Sequence, residues 1–456
     1  MIAALLRWKL PVLLIAAALI RMAIFVAFPS IFAFDQTGVV HGSTAYDTYA
    51  VNLIETGVYG AVPGVPDANI PPLYSYALAG VYGLFGRSAL TVAVFHTLMD
   101  VISMALLYDI ARRLFRQHGA WIGWWAGVFY AVYPYLIFQN LTLIDTPFFM
   151  LLLNLFMWLI VRVRDDERSW RWAVLAGVAL GLATLARPIL PFLAVLLPIW
   201  FLLRRSLVQT ITRLAVVALI SVLMLVPWFI RNYAVYDQFV AMSVTTWANF
   251  YHGNNPLVIP LMRAGYDTQW TSPDITTPDP NSPAADAERA AVSFAFLREN
   301  TALIPELWAV KVLAYWSIDI FPRYNPTAGP DPDSAQIGDS TITISETGEV
   351  MITGLPEGDP VTAYSTGEFQ AGRVIHRFYF GGLLFLALIG VLLTRKQWRD
   401  VSLLWLIQLS MTAAYVLFHP STRYRVPTDP YLFMFSAAAV VLVWRWVRMR
   451  GHHEPA

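Results

Sequence analysis

The stretch RWKLPVLLIAAALIRMAIFVAF, residues 7–28, decides the fold class. Two basic residues precede an apolar run long enough to cross a bilayer as a helix. A secretory leader also begins with a basic flank, but this run is too long for one and no clear small-residue cleavage site follows. The run therefore reads as an uncleaved first span. Of the 456 residues, 57% are hydrophobic and 13% charged, and the mean hydropathy is +0.55. A soluble chain of this size would carry about twice that charge. The sequence predicts an all-α polytopic membrane protein.

Comparable apolar runs recur near 88–111, 119–138, 146–163, 172–186, 188–203, 211–230, 374–394, 400–418 and 429–447, making ten expected spans with the first at 10–29. The basic residues test that count. Arg7 and Lys9, RRLFR (112–116), RVRDDERSWR (162–171), Arg204 with Arg205, TRKQWR (394–399) and RWVRMR (445–450) all fall on one side if there are ten spans. Positive residues mark the cytoplasmic side, so both termini are expected there. The chain then divides into an N-terminal transmembrane module, 1–230, with a first external loop, 30–87; an extracytoplasmic region, 231–373; and a C-terminal transmembrane module, 374–456.

The formal charge of +1 offers nothing to a nucleic acid, and the absence of cysteine excludes disulfides, thiol catalysis and zinc–thiolate sites. In the first loop, GSTAYDTYAVNLIETGVYG (42–60) has apolar residues at helical spacing and ends at glycine. Thr44 and Asp47, three apart, spell a capping box. The same Asp47, in the first turn at the membrane surface, is also placed to deprotonate an acceptor hydroxyl or amine. Asp35 and Glu55 are the competing acids, Glu55 on the solvated helix face. STITISETGEVMITG (340–354) alternates with period two and predicts a small β-hairpin.

Cations gather on the external side from distant parts of the chain. They are Arg187, Arg231, and Arg423 with Arg425, while His252 and Asn254 lie in YHGNNP. For one arginine, snorkelling to the interface is the simpler explanation. Several on the side not expected to be basic point to a lipid-linked phosphate, whose oxygens suit a guanidinium fork. Arg21 and Asp100 each lie about twelve residues into a span, where a lone charge costs on the order of 3 kcal/mol, so they are expected to pair.

YDTYAVNLIETGVYG, PPLYSYALAGVYGLFGRS, YDIARRLF, YAVYPYLIFQNLTLIDTPFF, AGVALGLATLARP, VPWFIRNYAVYDQFV, NFYHGNNP and RYRVPTDP occur in that order over most of the chain, apart from roughly 325–372. The ordered set resembles the GT-C superfamily of membrane glycosyltransferases, and within it bacterial relatives of protein O-mannosyltransferases and lipid A aminoarabinose transferases. The resemblance implies a multi-pass enzyme of the bacterial cytoplasmic membrane with extracytoplasmic juxtamembrane helices. It also implies a polyprenyl-phosphate sugar donor, a membrane-lipid environment, and an acceptor that is protein, lipid or glycan, glycosylated outside the cytoplasm. It implies a catalytic Asp in the first external loop and a second acid before the fourth span, matched by Asp145. In the Tyr46…Ala50…Gly57 framework the family's usual acidic positions fall at Gly42 and Ser43, and Asp47 and Asp35 are the acids nearby. Some members use a divalent metal. No D-x-D triplet lies near Asp47, although DPD occurs at 331–333, and the reading favours no cofactor and no metal. Two alternatives stand beside it: a transporter or flippase of lipid-linked sugars, and a GT-C-like scaffold that has lost catalysis.

Overall fold

A computed structural model describes residues 2–28, 43–166, 170–323 and 367–451, and four short strands between 327 and 353. The chain is predominantly helical. It divides into two units, one formed by residues 1–242, 382–410 and 427–456, the other by residues 243–381 and 411–426.

The first unit is the bundle. Its helices are α1 (Ile2–Ala27), α2 (Ser43–Thr56), α3 (Leu73–Phe85), α4 (Ala89–Leu114), α5 (Gly119–Ala131), α6 (Pro134–Asn140), α7 (Thr146–Asp165), α8 (Arg171–Ala186), α9 (Pro191–Leu202) and α10 (Leu207–Tyr236). Each of the seven N-terminal apolar runs falls on one or two of these helices. The run at 119–138 is broken, because Pro134 opens a new helix after Tyr133. Local chemistry sets the starts. Ser88 accepts from the Thr91 amide to cap α4, and Ser206 with Gln209 forms a complete capping box on α10.

Close packing in the bundle is written in glycine. A Cβ on Gly177 or Gly181 would stand 2.6 Å from Ile220 Cβ or Met224 Cβ, so α8 meets α10 through a small-xxx-small seam. Outward-facing Ile15, Leu19, Leu219 and Leu223 are more than half exposed, as a lipid-facing surface requires. Inside, Arg21 Nε donates to Asp100 Oδ2 at 2.6 Å and Tyr130 Oη donates to Asp100 Oδ1 at 2.7 Å. The expected intramembrane pair is therefore present, with Arg21 wholly buried and Asp100 1% exposed.

The second unit holds α11 (Thr246–Tyr251), α12 (Val258–Ala264), α13 (Pro283–Glu299) and α14 (Ile304–Tyr315), then β1 (Thr327–Ala328), β2 (Ser334–Ile337), β3 (Ser340–Ile344) and β4 (Val350–Thr353). The strands pair antiparallel in the order β1-β2-β3-β4. The alternating stretch at 340–354 falls on β3 and β4, in a register running from Thr341 opposite Thr353 to Ile344 opposite Val350. The chain closes with α15 (Gly367–Thr394), α16 (Trp398–Leu417), the short α17 (Thr422–Arg425) and α18 (Asp429–Gly451). Among the described residues, six helical stretches are long and apolar enough to cross a membrane, and the 47-residue Ala371–Leu417 stretch joins α15 to α16.

Candidate functional site

Asp47 lies in the second turn of α2, one residue after Tyr46. Both its oxygens are engaged across the loop. Tyr82 Oη on α3 donates to Oδ1 at 2.8 Å, and Arg87, in the turn after α3, donates Nε to Oδ1 at 3.0 Å and Nη2 to Oδ2 at 2.6 Å. The capping box read from Thr44 and Asp47 is not formed. α2 starts at Ser43, which puts Thr44 inside the helix, and the carboxylate turns to the guanidinium, a stronger donor than a backbone amide. Asp47 is 7% exposed.

Asp145 is the residue before α7, and Arg187 ends α8. Arg187 holds Asp145 through Nε to Oδ2 and through Nη2 to Oδ1 at 2.6 Å, and donates to Thr146 Oγ1 at 2.9 Å. Adjacent α7 and α8 bring the two helix ends together, and both side chains are buried.

Tyr74 on α3 and His96 on α4 form a buried hydrogen-bonded pair in the same unit. His96 Nδ1 lies 3.0 Å from the Asn140 carbonyl, which can only accept, so Nδ1 carries the proton. Nε2, 2.7 Å from Tyr74 Oη, is then the acceptor of the phenol's hydrogen in the neutral ring. Burial pushes the Tyr74 phenol well above its ordinary value, and the charges of Tyr82, Asp145, Tyr46 and Asp47 push the same way.

Arg231 stands in an aromatic cluster of the same unit. Its Nη2 donates to the Tyr59 carbonyl at 2.8 Å, its Nη1 donates to Asn232 Oδ1 at 3.0 Å, and its guanidinium lies 4.9 Å from the Trp228 ring centre. Asp35 lies outside the described residues.

The other sequence-marked residues belong to the second unit. Asn254 Oδ1 accepts from Lys311 Nζ at 3.0 Å, and its amide donates to the Phe250 and Leu417 carbonyls. His252 has a buried Nδ1 with no hydrogen-bond partner among the described residues, and burial followed by the charge of His419 pushes it down to about 4. Arg425 is wholly buried, donates Nη1 to the Tyr315 and Ser317 carbonyls, and lies 3.6 Å from the Phe380 ring centre. Arg423 is half-buried beside Tyr424. Among the described residues no three His, Asp or Glu side chains come together as a metal-holding group.

Sequence reasoning passed over Arg87, Tyr74, Tyr82, His96 and Lys311. Arg87 had a signal, being a basic residue in the loop 30–87, which the span count expects on the side without the positive clusters. Lys311 had another, a lone charge in ELWAVKVLAYW.

Residues 69–230, which include Tyr74, Tyr82, Arg87, His96, Asp145 and Arg187, match the dolichyl-phosphate-mannose-protein mannosyltransferase family. No curated protein matches the chain. Among solved structures, the apo oligosaccharyltransferase of Archaeoglobus fulgidus is 15% identical with a TM-score of 0.52, over 98% of this chain and 51% of that one. The archaeal oligosaccharyltransferase AglB from Archaeoglobus fulgidus, in complex with an inhibitory peptide and a dolichol-phosphate, is 14% identical with a TM-score of 0.52, over 98% of this chain and 52% of that one. ArnT from Cupriavidus metallidurans bound to undecaprenyl phosphate is 14% identical with a TM-score of 0.41, over 94% and 77%. The chain spans about half the length of the oligosaccharyltransferase it matches. With a mannosyltransferase pattern across residues 69–230 and a fold similar to that of the oligosaccharyltransferase, the protein has the fold of the GT-C superfamily of membrane glycosyltransferases.

Proposed function

We propose that the protein transfers a sugar from a polyprenyl-phosphate-linked donor to an extracytoplasmic acceptor, with Asp47 as the general base. The observation that carries this reading is the pairing of two buried acids with guanidiniums, Asp47 with Arg87 and Asp145 with Arg187, of which Arg87, Asp145 and Arg187 lie in the segment with the mannosyltransferase pattern. AglB is complexed with a dolichol-phosphate, and a lipid phosphate is the leaving group that this chemistry requires.

In the step proposed, an acceptor hydroxyl oxygen attacks the anomeric carbon while Asp47 takes its proton. The bond from the anomeric carbon to the phosphate oxygen breaks, and the lipid leaves as polyprenyl phosphate. A single displacement inverts the anomeric centre. Arg87 holds the Asp47 carboxylate in one orientation, as a positioned base requires. Asp145 with Arg187 forms the second charged pair, and Arg231 supplies a further cation in the same unit. His252, Asn254, Arg423 and Arg425 are assigned to donor binding on their residue types and sequence context, each to be tested by substitution. The reaction is written without a metal or cofactor, and both termini are assigned to the cytoplasmic side by the basic clusters.

The test is incubation of purified protein with labelled undecaprenyl-phosphate sugars and a crude envelope acceptor fraction. Consumption of the lipid sugar with release of undecaprenyl phosphate is expected. Lipid moved between leaflets of a proteoliposome with its sugar intact would favour a flippase instead.

A further inference from the structure

The second unit carries a cationic cluster to which the transferase reading gives no role. Asp319, in the loop after α14, is 5% exposed and is surrounded by three arginines. Arg373 donates Nε to Oδ1 at 3.2 Å and Nη2 to Oδ2 at 2.6 Å, which consumes its fork. Arg377, one turn further along α15, donates only Nη2, to Oδ2 at 2.8 Å. Arg323 brings Nε to 3.8 Å of the same oxygen, too far for a hydrogen bond. Among the described residues, three guanidiniums against one carboxylate leave an excess of two positive charges. That excess sits on the outer pair, since the Arg323 and Arg377 side chains are 50% and 45% exposed and Arg373 is 7% exposed.

The surroundings decide what the excess is for. The cluster stands where the apolar stretch Ala371–Leu417 begins. Beside Arg377 on α15, Val374 is 48% exposed, Ile375 54% and Phe378 77%, and Ile318, next to Asp319, is 45% exposed. Ile318 lies along α15, 3.7 Å from where a Cβ on Gly381 would be. Two spare guanidiniums rimmed by exposed apolar side chains at the mouth of a span match an amphiphile, with an anionic head on the arginines and hydrocarbon on the collar. A water-soluble anion would leave the collar unused. A zwitterionic lipid would place its ammonium next to the excess positive charge.

We infer that Arg323 and Arg377, braced by Asp319 and Arg373, form a binding site for the phosphodiester headgroup of an anionic phospholipid of the surrounding leaflet. The site is independent of the sugar donor, so its failure would leave the transferase reading standing. Full-length protein in a neutral detergent is titrated with phosphatidylglycerol, with phosphatidylcholine and with undecaprenyl phosphate, and bound lipid is counted by native mass spectrometry. Phosphatidylglycerol should bind in preference to phosphatidylcholine. Each Arg→Gln change, R323Q or R377Q, should weaken phosphatidylglycerol about fivefold, the value of one basic residue at an anionic surface, and leave undecaprenyl phosphate unchanged. The charge-preserving pair R323K/R377K should keep most of the binding, which shows that the Gln variants did not merely misfold. Equal binding of the two phospholipids, an undisturbed phosphatidylglycerol titration in R323Q/R377Q, or failure of the Lys pair would overturn the inference. A parallel loss of undecaprenyl phosphate would overturn it too, by assigning the arginines to the donor.

Discussion

Arg87 Nη2 donates to Asp47 Oδ2 across 2.6 Å, tying the second turn of α2 to the residue before the Ser88 cap of α4. With Tyr82 on the other oxygen, the carboxylate has one orientation. If Asp47 is the base, Asp47→Asn keeps the shape and removes the proton acceptor. Transfer should then fall by about 10²–10⁴-fold while donor lipid still binds. Arg87→Lys keeps a charge but not the fork, and should lower turnover about 10–100-fold, the worth of a charge-assisted hydrogen bond. Initial rates with labelled donor check both. Unchanged rates in Asp47→Asn would return the role to Asp35 or Asp145.

Arg187 gives Asp145 two hydrogen bonds and Thr146 a third. Lysine cannot span this geometry. Arg187→Lys should therefore depress transfer to nearly the level of Asp145→Asn, and the double variant should be little worse than either single one. Multiplicative losses in that cycle would show that the two residues act separately.

The Arg21–Asp100 pair makes a prediction about stability rather than rate. Removing one member of a buried pair leaves an uncompensated charge and costs about 3–5 kcal/mol. Arg21→Met should lower the thermal midpoint sharply, because Tyr130 alone would face the Asp100 carboxylate. Arg21→Met/Asp100→Leu should recover most of that loss. Unfolding midpoints in one detergent decide the matter, and a double variant worse than both singles would count against the pairing.

Lys311 is wholly buried, bonded to Asn254 Oδ1 and to the Val416 carbonyl, and burial pushes it down to about 7 from 10.5. The unfolded chain therefore holds this proton over a range in which the folded chain has lost it. Stability should rise with pH from about 7 to about 10, the contribution being complete above the unfolded value and lost as pH falls through the folded one. Lys311→Met should flatten that slope. Parallel slopes in the two proteins would mean that Lys311 stays charged.

Topology can be read directly, because no native cysteine competes. Cysteine at exposed Glu55 should react with an impermeant thiol reagent on intact cells, and cysteine at exposed Arg448 only after lysis. The reverse pattern would invert the orientation.

The helical, membrane-spanning class of this chain is legible in a string of letters because hydrocarbon imposes a local rule. Every backbone amide must be satisfied within its own segment, so each span needs its own run of apolar residues. The Arg21–Asp100 pair was legible for the same reason, since two lone charges at matching depth have few partners except each other. The seam of Gly177 and Gly181 against α10 was visible as small residues, but its partner was not. The partners of Asp47 and Asp145 depended wholly on tertiary structure. Asp47 could have capped its own helix, and only the packing of α2 on α3 delivers Tyr82 and Arg87 to it. Arg187 reads as a free cation after GLATLA, and only the meeting of α7 with α8 makes it half of an ion pair. A carboxylate takes the strongest donor within reach, and reach is a property of folded space, which spacing along the chain does not record.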